Sequence, residues 1–363
     1  MKMLVTIKDV AREAGVSMAT VSLVMRSSPR IRPETAAKVR TAADRLGYTP
    51  SPMVSALMAR IRSARPNSDH TTLAVIGWTP PRDPGTQSWF SLEIGRGIKA
   101  RADKLGFGLQ YFPLPARGGN QARLAQVLRN TGIPAAIVPP LAAGETDLEL
   151  DFTHLSAVAI GYTVRTPDLH RVCPDQYQGM MLMLRSLTAR GYRRIGLCLD
   201  RATDARVRHK FTAAVCWHNQ MVAGADAVAP HLHDQFVEAD FARWLKRAKP
   251  DVVIAPSCKV LVMMRSLGYR VPHDIGFAIA NHADRHEDCS GLDQRPQILG
   301  EKAVDAVVAQ INRNERGAPS VPLITSVEGV WVDDITTRPL PTAGAPRSGP
   351  FQAERSVKPF AAG

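Results

Sequence analysis

The stretch TIKDVAREAGVSMATVSLVMR, residues 6–26, decides how the chain begins. Ile7, Val10, Ala11 and Ala14 recur at helical spacing, and Val21 and Val24 carry an apolar pattern onto a second helix. Two short helices joined at a sharp turn need a tiny residue where they cross, a turn residue tolerant of positive φ, and apolar anchors on the second helix. Ala11, Gly15 and the pair Val21 and Val24 meet those needs in order. Ser17 is placed to cap the second helix, its hydroxyl accepting a first-turn N–H. A third helix is predicted from about Pro33 to Leu46, with Thr35, Val39, Ala42, Ala43 and Leu46 facing inward and Gly47 as its stop. The sum is a helix-turn-helix extended by a third helix.

Charge separates this head from the rest of the chain. Residues 1–66 hold twelve Lys/Arg against four Asp/Glu, a net +8, and the other residues of the 363 add only +5. A small basic head on a nearly balanced body suits a polyanion-binding module attached to a globular one. Five scattered cysteines without a Cys-x-x-Cys pair fit reduced thiols in a cytosol. Met1 to Val10 lacks the apolar core of a signal peptide, and no apolar run approaches the roughly 18 residues that span a bilayer. A cytoplasmic, nucleoid-associated protein without a membrane partner is the expectation.

Residues 6–26, with RIRPETAAKVRTAADRLGYTP at 30–50, resemble the LacI/GalR family of bacterial repressors. The resemblance implies a recognition helix from Ser17 to about Met25 lying in the major groove. It implies base reading by Met18, Ala19 and Leu23, and contacts to phosphates or the groove wall from Thr6, Ser17, Thr20 and Ser22. Met18, Ala19 and Leu23 offer only apolar contact, where bidentate readout of a purine needs Arg, Lys, Asn or Gln. Arg26 stands where the family usually has Asn, and Arg32 replaces the expected capping Ser or Thr before the third helix. After Tyr48, Pro50 and Pro52 break that helix. Residues 53–59 then match the family's hinge helix, with Val54 on it and Leu57, nine residues after Tyr48, as an apolar minor-groove wedge.

From Thr71 short apolar runs alternate with helical stretches. Strands are predicted at 73–76, 109–112, 135–138, 157–160, 195–199, 252–255 and 275–279. Helices are predicted at about 91–105, 120–130, 176–190, 205–223, 237–248, 258–267 and 296–314. Buried strands separated by helices mean parallel sheets and βαβ units. The segments 175–179, 191–196, 271–276 and 291–294, with Gly300 and Ala303, stand in the order of the LacI/GalR body. The implied fold class is α/β: a helix-turn-helix head over residues 1–50, a hinge and linker over 51–66, and a two-subdomain periplasmic-binding-protein-like body with parallel sheets over 67–338. The N-subdomain is expected at about 71–163 and 293–323, the C-subdomain at about 164–292 and 324–338. The Pro-, Ala-, Gly- and Arg-rich tail 339–363 is expected to be disordered.

The family resemblance places a small-molecule effector between the subdomains, at the carboxyl ends of the strands. The residues expected to hold it are Trp78, Trp89, Phe90, Arg206, Arg208, Asn281 and Asp284. Asn281 stands where sugar-binding members have an Asp, which counts against a simple sugar; Asp284 is placed to compensate. The cluster His282, Asp284, His286, Glu287, Asp288 and Cys289 lacks metal-ligand spacing, so neither a metal nor a cofactor is expected. No nucleophile elbow, phosphate loop or catalytic constellation is present in the sequence. The expected function is therefore a regulator, not an enzyme: a homodimer or tetramer that binds double-stranded, near-palindromic operator DNA. The competing readings are a solute-binding protein, which predicts an export signal and no head, and an α/β enzyme with a DNA-binding head.

Overall fold

In the computed structural model the described residues are 5–25, 31–48, 71–79, 88–114, 121–141, 147–282 and 288–341. The hinge and linker expected over 51–66 and nearly all of the expected tail lie outside them. Three helices make the head: α1 (Ile7–Ala14), α2 (Met18–Met25) and α3 (Pro33–Leu46). Gly15 and Gly47 end α1 and α3 in the left-handed region, at φ 65° and 64°, a conformation that costs glycine little. Val10, Ala11, Val21, Val24, Val39, Ala42 and Ala43 form one buried cluster. Val10, Ala11, Val21 and Val24 are among the residues whose spacing predicted the helical hairpin, Val39, Ala42 and Ala43 are among those expected to face inward from the third helix, and α3 has the predicted bounds.

Beyond the head the chain makes two compact units, each with a six-stranded sheet. The strands of the first are β1 (Thr72–Ile76), β2 (Gly108–Phe112), β3 (Ala135–Val138), β4 (Ser156–Ile160), β5 (His170–Pro174) and β11 (Ile324–Val327). They are all parallel, in the order β11-β5-β4-β3-β1-β2. Its helices are α4 (Trp89–Leu105), α5 (Gln121–Asn130) and α11 (Pro296–Arg313). Alternate residues of β1, β3 and β4 feed two separate cores. Ala74, Ile76, Ala136, Val138, Ala157 and Ala159 face one side; Leu73, Val75, Ala135, Ile137, Val158 and Ile160 face the other. Burial on both faces is why these strands read as unbroken apolar runs.

The second sheet runs β12-β10-β9-β8-β6-β7. It comprises β6 (Ile195–Asp200), β7 (His231–His233), β8 (Val252–Ala255), β9 (Gly276–Ile279), β10 (Gly291–Asp293) and β12 (Val330–Val332). Its helices are α6 (Gln176–Ala189), α7 (Arg201–Arg206), α8 (Lys210–His218), α9 (Glu238–Ala248) and α10 (Lys259–Ser266). The sheet is parallel, as expected, apart from one antiparallel pairing, β10 with β12.

Two subdomain boundaries also differ from the expectation. The first crossing falls between Asp175 and Gln176 rather than near 163, and the last between Glu328 and Gly329 rather than near 323. The reason is that β5 and β11 pair with each other in the first sheet, from Ile324 beside Arg171 to Val327 beside Pro174. The single helix expected over 205–223 is broken as well. Arg208 and His209 both adopt positive φ, at 56° and 57°. The buried Asp204 carboxylate holds that turn, accepting from the Thr212 hydroxyl at 2.9 Å and lying 2.8 Å from His209 Nδ1.

The second unit carries its own acid sensitivity. His231 packs beside Phe241 and Trp244, stacked on the latter at 5.5 Å between ring centroids, and its Nε2 has no partner among the described residues. Burial lowers its basicity, with His233 adding to the effect, and burial does the same to His218 on α8. Both rings are thus favoured in the neutral form when folded. The stability they contribute is present above the ordinary histidine range near about 6.5 and is lost as pH falls below it, because the unfolded chain takes up the protons first. Melting followed by calorimetry between about pH 7.5 and 5.5 is expected to show the second unit losing stability on acidification. His231→Phe is expected to flatten that profile; an equally steep profile in the variant would contradict this account.

Candidate nucleic-acid interface and the strand ends of the body

The start of α2 is built as a rigid, exposed tip. Ser17 Oγ accepts the Thr20 N–H at 3.1 Å and lies 2.9 Å from Thr20 Oγ1, which is the predicted cap. At the start of α1, Asp9 Oδ2 accepts both the Thr6 N–H, at 2.9 Å, and the Thr6 hydroxyl, at 2.6 Å. Those two bonds hold the Asp9 carboxyl below its ordinary value. Thr6 and Ser17 thereby fix where α1 and α2 begin.

Met18, the first residue of α2, is 54% exposed although apolar. An exposed large apolar side chain beside a satisfied cap spends nothing on the head's own core, which Val21 and Val24 fill. It is therefore available for an external contact. Leu23 is half-buried, and Ala19 and Ser22 lie within α2. Tyr48, expected among the DNA-contacting residues, packs against the head's core and is half-buried. Lys8, Arg12, Arg32, Lys38, Arg40 and Arg45 are all exposed, which gives the head a basic surface. Arg12 and Arg45 are partly engaged by Asp9, at 2.9 Å, and Glu13, at 3.3 Å. Arg32 makes no side-chain cap for α3, where Pro33 opens the helix. Arg26, Val54 and Leu57 lie outside the described residues.

In the first unit of the body, Trp78 follows β1, and Trp89 and Phe90 open α4. Trp78 donates its indole N–H to the Pro140 carbonyl at 3.0 Å and, with Phe90, packs half-buried against the core under α4 and α11. Trp89 carries the Arg96 guanidinium 5.4 Å from its ring centre. The three aromatics are therefore gathered at one end of the sheet, with Trp78 and Phe90 partly committed to packing.

In the second unit, Arg206 ends α7 and Arg208 sits in the left-handed turn after it, both exposed. Asn281 lies just past β9, and its Oδ1 is buried without a hydrogen-bond partner among the described residues. Asp284 is outside them. Two residues join this group that the sequence did not single out as ligand contacts. His282 donates its backbone N–H to the Leu292 carbonyl at 2.8 Å while its Nε2 is buried and unpartnered, and Gln176, 5% exposed, has an unpartnered Oε1. Buried polar atoms normally find partners, so these unpaired ones are exceptions. Gln176 follows Asp175 inside the segment 175–179, which stands in the family's order, and that position was the available signal. Among the described residues there is no group of metal-ligating side chains, and no helix is long and apolar enough to cross a membrane.

Comparison with known proteins bears on both parts. Residues 6–51 match the family described as "Bacterial regulatory proteins, lacI family". The chain is 40% identical over 95 residues to catabolite control protein A of Priestia megaterium, covering 26% of this chain and 24% of that protein. It is 29% identical over 188 residues to the sucrose operon repressor of Escherichia coli, 52% of this chain and 53% of the repressor. The matches thus span about half or less of these relatives' lengths. Among solved structures, the transcriptional regulator CelR in complex with cellobiose aligns with 92% of this chain and 99% of its own, with TM-score 0.54 and 19% identity. The lac repressor dimer bound to operator and the anti-inducer ONPF aligns over the same shares, with TM-score 0.53 and 19% identity. Residues 6–51 are thus similar to the bacterial lacI regulatory family, and the body behind them has the fold of the solved CelR and lac repressor chains.

Proposed function

We propose that the chain is a sequence-specific DNA-binding transcription regulator, a repressor in the simplest reading, that acts as a homodimer on a near-palindromic operator and answers to a small-molecule effector. The observation that carries this is the tip of α2: a capped helix start presenting Met18 to solvent on a basic three-helix head. The helix amino end supplies N–H groups for a phosphate, and α2 supplies a narrow apolar face for thymine methyls. Because Met18 reads no purine edge by hydrogen bonds, specificity rests on methyl contact and on the deformability of the DNA.

The body's role is ligand sensing. Asn281 and His282 hold unpaired polar atoms just past β9 and Gln176 holds one at the first position of α6, while Trp78, Trp89 and Phe90 supply aromatic surface in the first unit. The unpaired polar atoms of the second unit suit a compound with hydrogen-bonding groups, and Asn281, standing where sugar-binding members have an Asp, counts against a simple sugar. Selection of duplexes from a randomised pool by the full chain is expected to enrich one near-palindrome. Its affinity is expected to fall about a thousandfold or more between about 50 and 200 mM salt, as six or more phosphate contacts require. Recovery of no common sequence would sink the regulatory reading. A metabolite that raises the chain's melting temperature and also changes operator affinity would identify the effector.

A further inference from the structure

Five cysteines are present and none is disulfide-bonded. Two of them are neighbours. Cys258 Sγ lies 3.4 Å from Cys289 Sγ although 31 positions separate them in sequence. Both are buried, 6% and 2% exposed, in the core that backs one face of the second sheet. Cys258 immediately precedes α10, and Cys289 stands two residues before β10. Buried polarisable thiols often serve as small apolar filler. A pair in direct sulfur contact, drawn from two remote segments, also has a chemistry that single thiols lack.

We propose that Cys258 and Cys289 are a modification site, a dithiol that a hydroperoxide closes to an intramolecular disulfide. A disulfide bond is about 2.05 Å long, so the two sulfurs approach by little more than an ångström, within reach of small side-chain rotations. Cys258 is the N-cap residue of α10, next to the positive end of the helix dipole though without a side-chain cap hydrogen bond, and it is the more exposed of the two. It is the attacking group. The Cys258 thiolate displaces one oxygen of the peroxide, giving a sulfenic acid and releasing water or an alcohol. The Cys289 thiolate then attacks that sulfur, the S–S bond forms and hydroxide leaves, to be protonated to water. The two sulfurs lose two electrons and the peroxide gains them. Cys198 shares the same core, where burial pushes its thiol up to about 12.

The bond would tie the turn after β8 to the lead-in of β10. The closed loop carries α10, β9 and Asn281, so oxidation restrains the segment that bears the unpaired Asn281 Oδ1. The chemistry does not depend on DNA binding, and its test does not either.

The test uses the full chain with Cys216→Ser, which removes the one exposed thiol. After mild hydrogen peroxide, titration in denaturant is expected to find two thiols instead of four, and peptide mapping to find Cys258 joined to Cys289. Hydrogen exchange over residues 259–282 is expected to slow about fivefold or more on closure and to recover on reduction. A second variant, Cys289→Ala, keeps a small apolar side chain in place and is expected to leave Cys258 as a sulfenic acid that dimedone captures. Cross-links joining other cysteines, or four thiols intact together with no dimedone adduct at Cys258, would overturn the proposal.

Discussion

Gly97→Val is expected to destabilise the first unit of the body more than an ordinary core substitution does. Helices α4 and α11 meet through two glycines. A Cβ on Gly97 would fall inside the contact distance of the Gln297 backbone carbonyl, and one on Gly300 would do the same to the Ile94 carbonyl and Ile98 nitrogen. In each case the obstacle is main chain, which has no rotamer to move to. Relief would require the helices to part, and the cluster around Ile94, Ile98, Leu299, Ala303 and Val304 would open with them. Glu93 adds to the difficulty, since its buried carboxylate is engaged by both Arg96 and Gln297 at this crossing. Overpacking of a tight core costs about 1–3 kcal/mol and occasionally more. Main-chain obstruction at Gly97 places Gly97→Val at the upper end, roughly 3 kcal/mol, or a melting temperature lower by about 6–12 °C. Gly97→Ala is expected to show a smaller loss in the same direction. An Ala variant melting with the parent would mean that the helices part freely, and the close-approach account would fail.

These glycines also mark what the sequence makes legible. Gly300 and Ala303 stand in the family's order, yet nothing in a single sequence says which glycine meets backbone and which meets solvent. The central strands were readable because burial on both faces selects continuous apolar runs such as Leu73–Ile76 and Val252–Ala255. β5 was not, because Arg171 interrupts it. That guanidinium is 2% exposed and is satisfied by the Val164 carbonyl at 2.6 Å and Asp168 at 2.8 Å, partners visible only in three dimensions. β11 was missed for the opposite reason: it is an edge strand whose first three residues are exposed, so Ile324-Thr325-Ser326 has no core pattern to show. Missing that pair displaced two of the expected crossings.

The site was legible in a similarly divided way. Cap and turn residues act within a few positions of themselves, so Ser17, Gly15 and Gly47 could be assigned from spacing alone. Gln176 and His282 could not, because what distinguishes them is an unmet hydrogen bond rather than a residue type. The break at Arg208 and His209 escaped notice because its cause is one buried carboxylate, Asp204, acting on later residues.

Met18→Glu is expected to separate the head's stability from its grip on DNA. The position is exposed and outside the head's core, so the change removes little packing. A carboxylate at the first position of α2 is also favourable toward the helix amino end, by a few tenths of a kcal/mol up to about 1. Melting of the head should therefore stay within about 0.5 kcal/mol of the parent or rise slightly. Binding to the enriched near-palindrome should move the other way. There the new charge meets phosphates and the acceptor-rich floor of the groove, with its water stripped and no donor opposite. A loss of at least about a hundredfold, near 2.7 kcal/mol, is expected in titrations at fixed salt. Met18→Leu, apolar and of similar volume, should keep most of the affinity. That comparison distinguishes the introduced charge from mere alteration of the tip. If the Glu variant binds as the parent does while the basic head still gives the steep salt dependence, the DNA lies against another face of the three helices, and α2 is not the reading element.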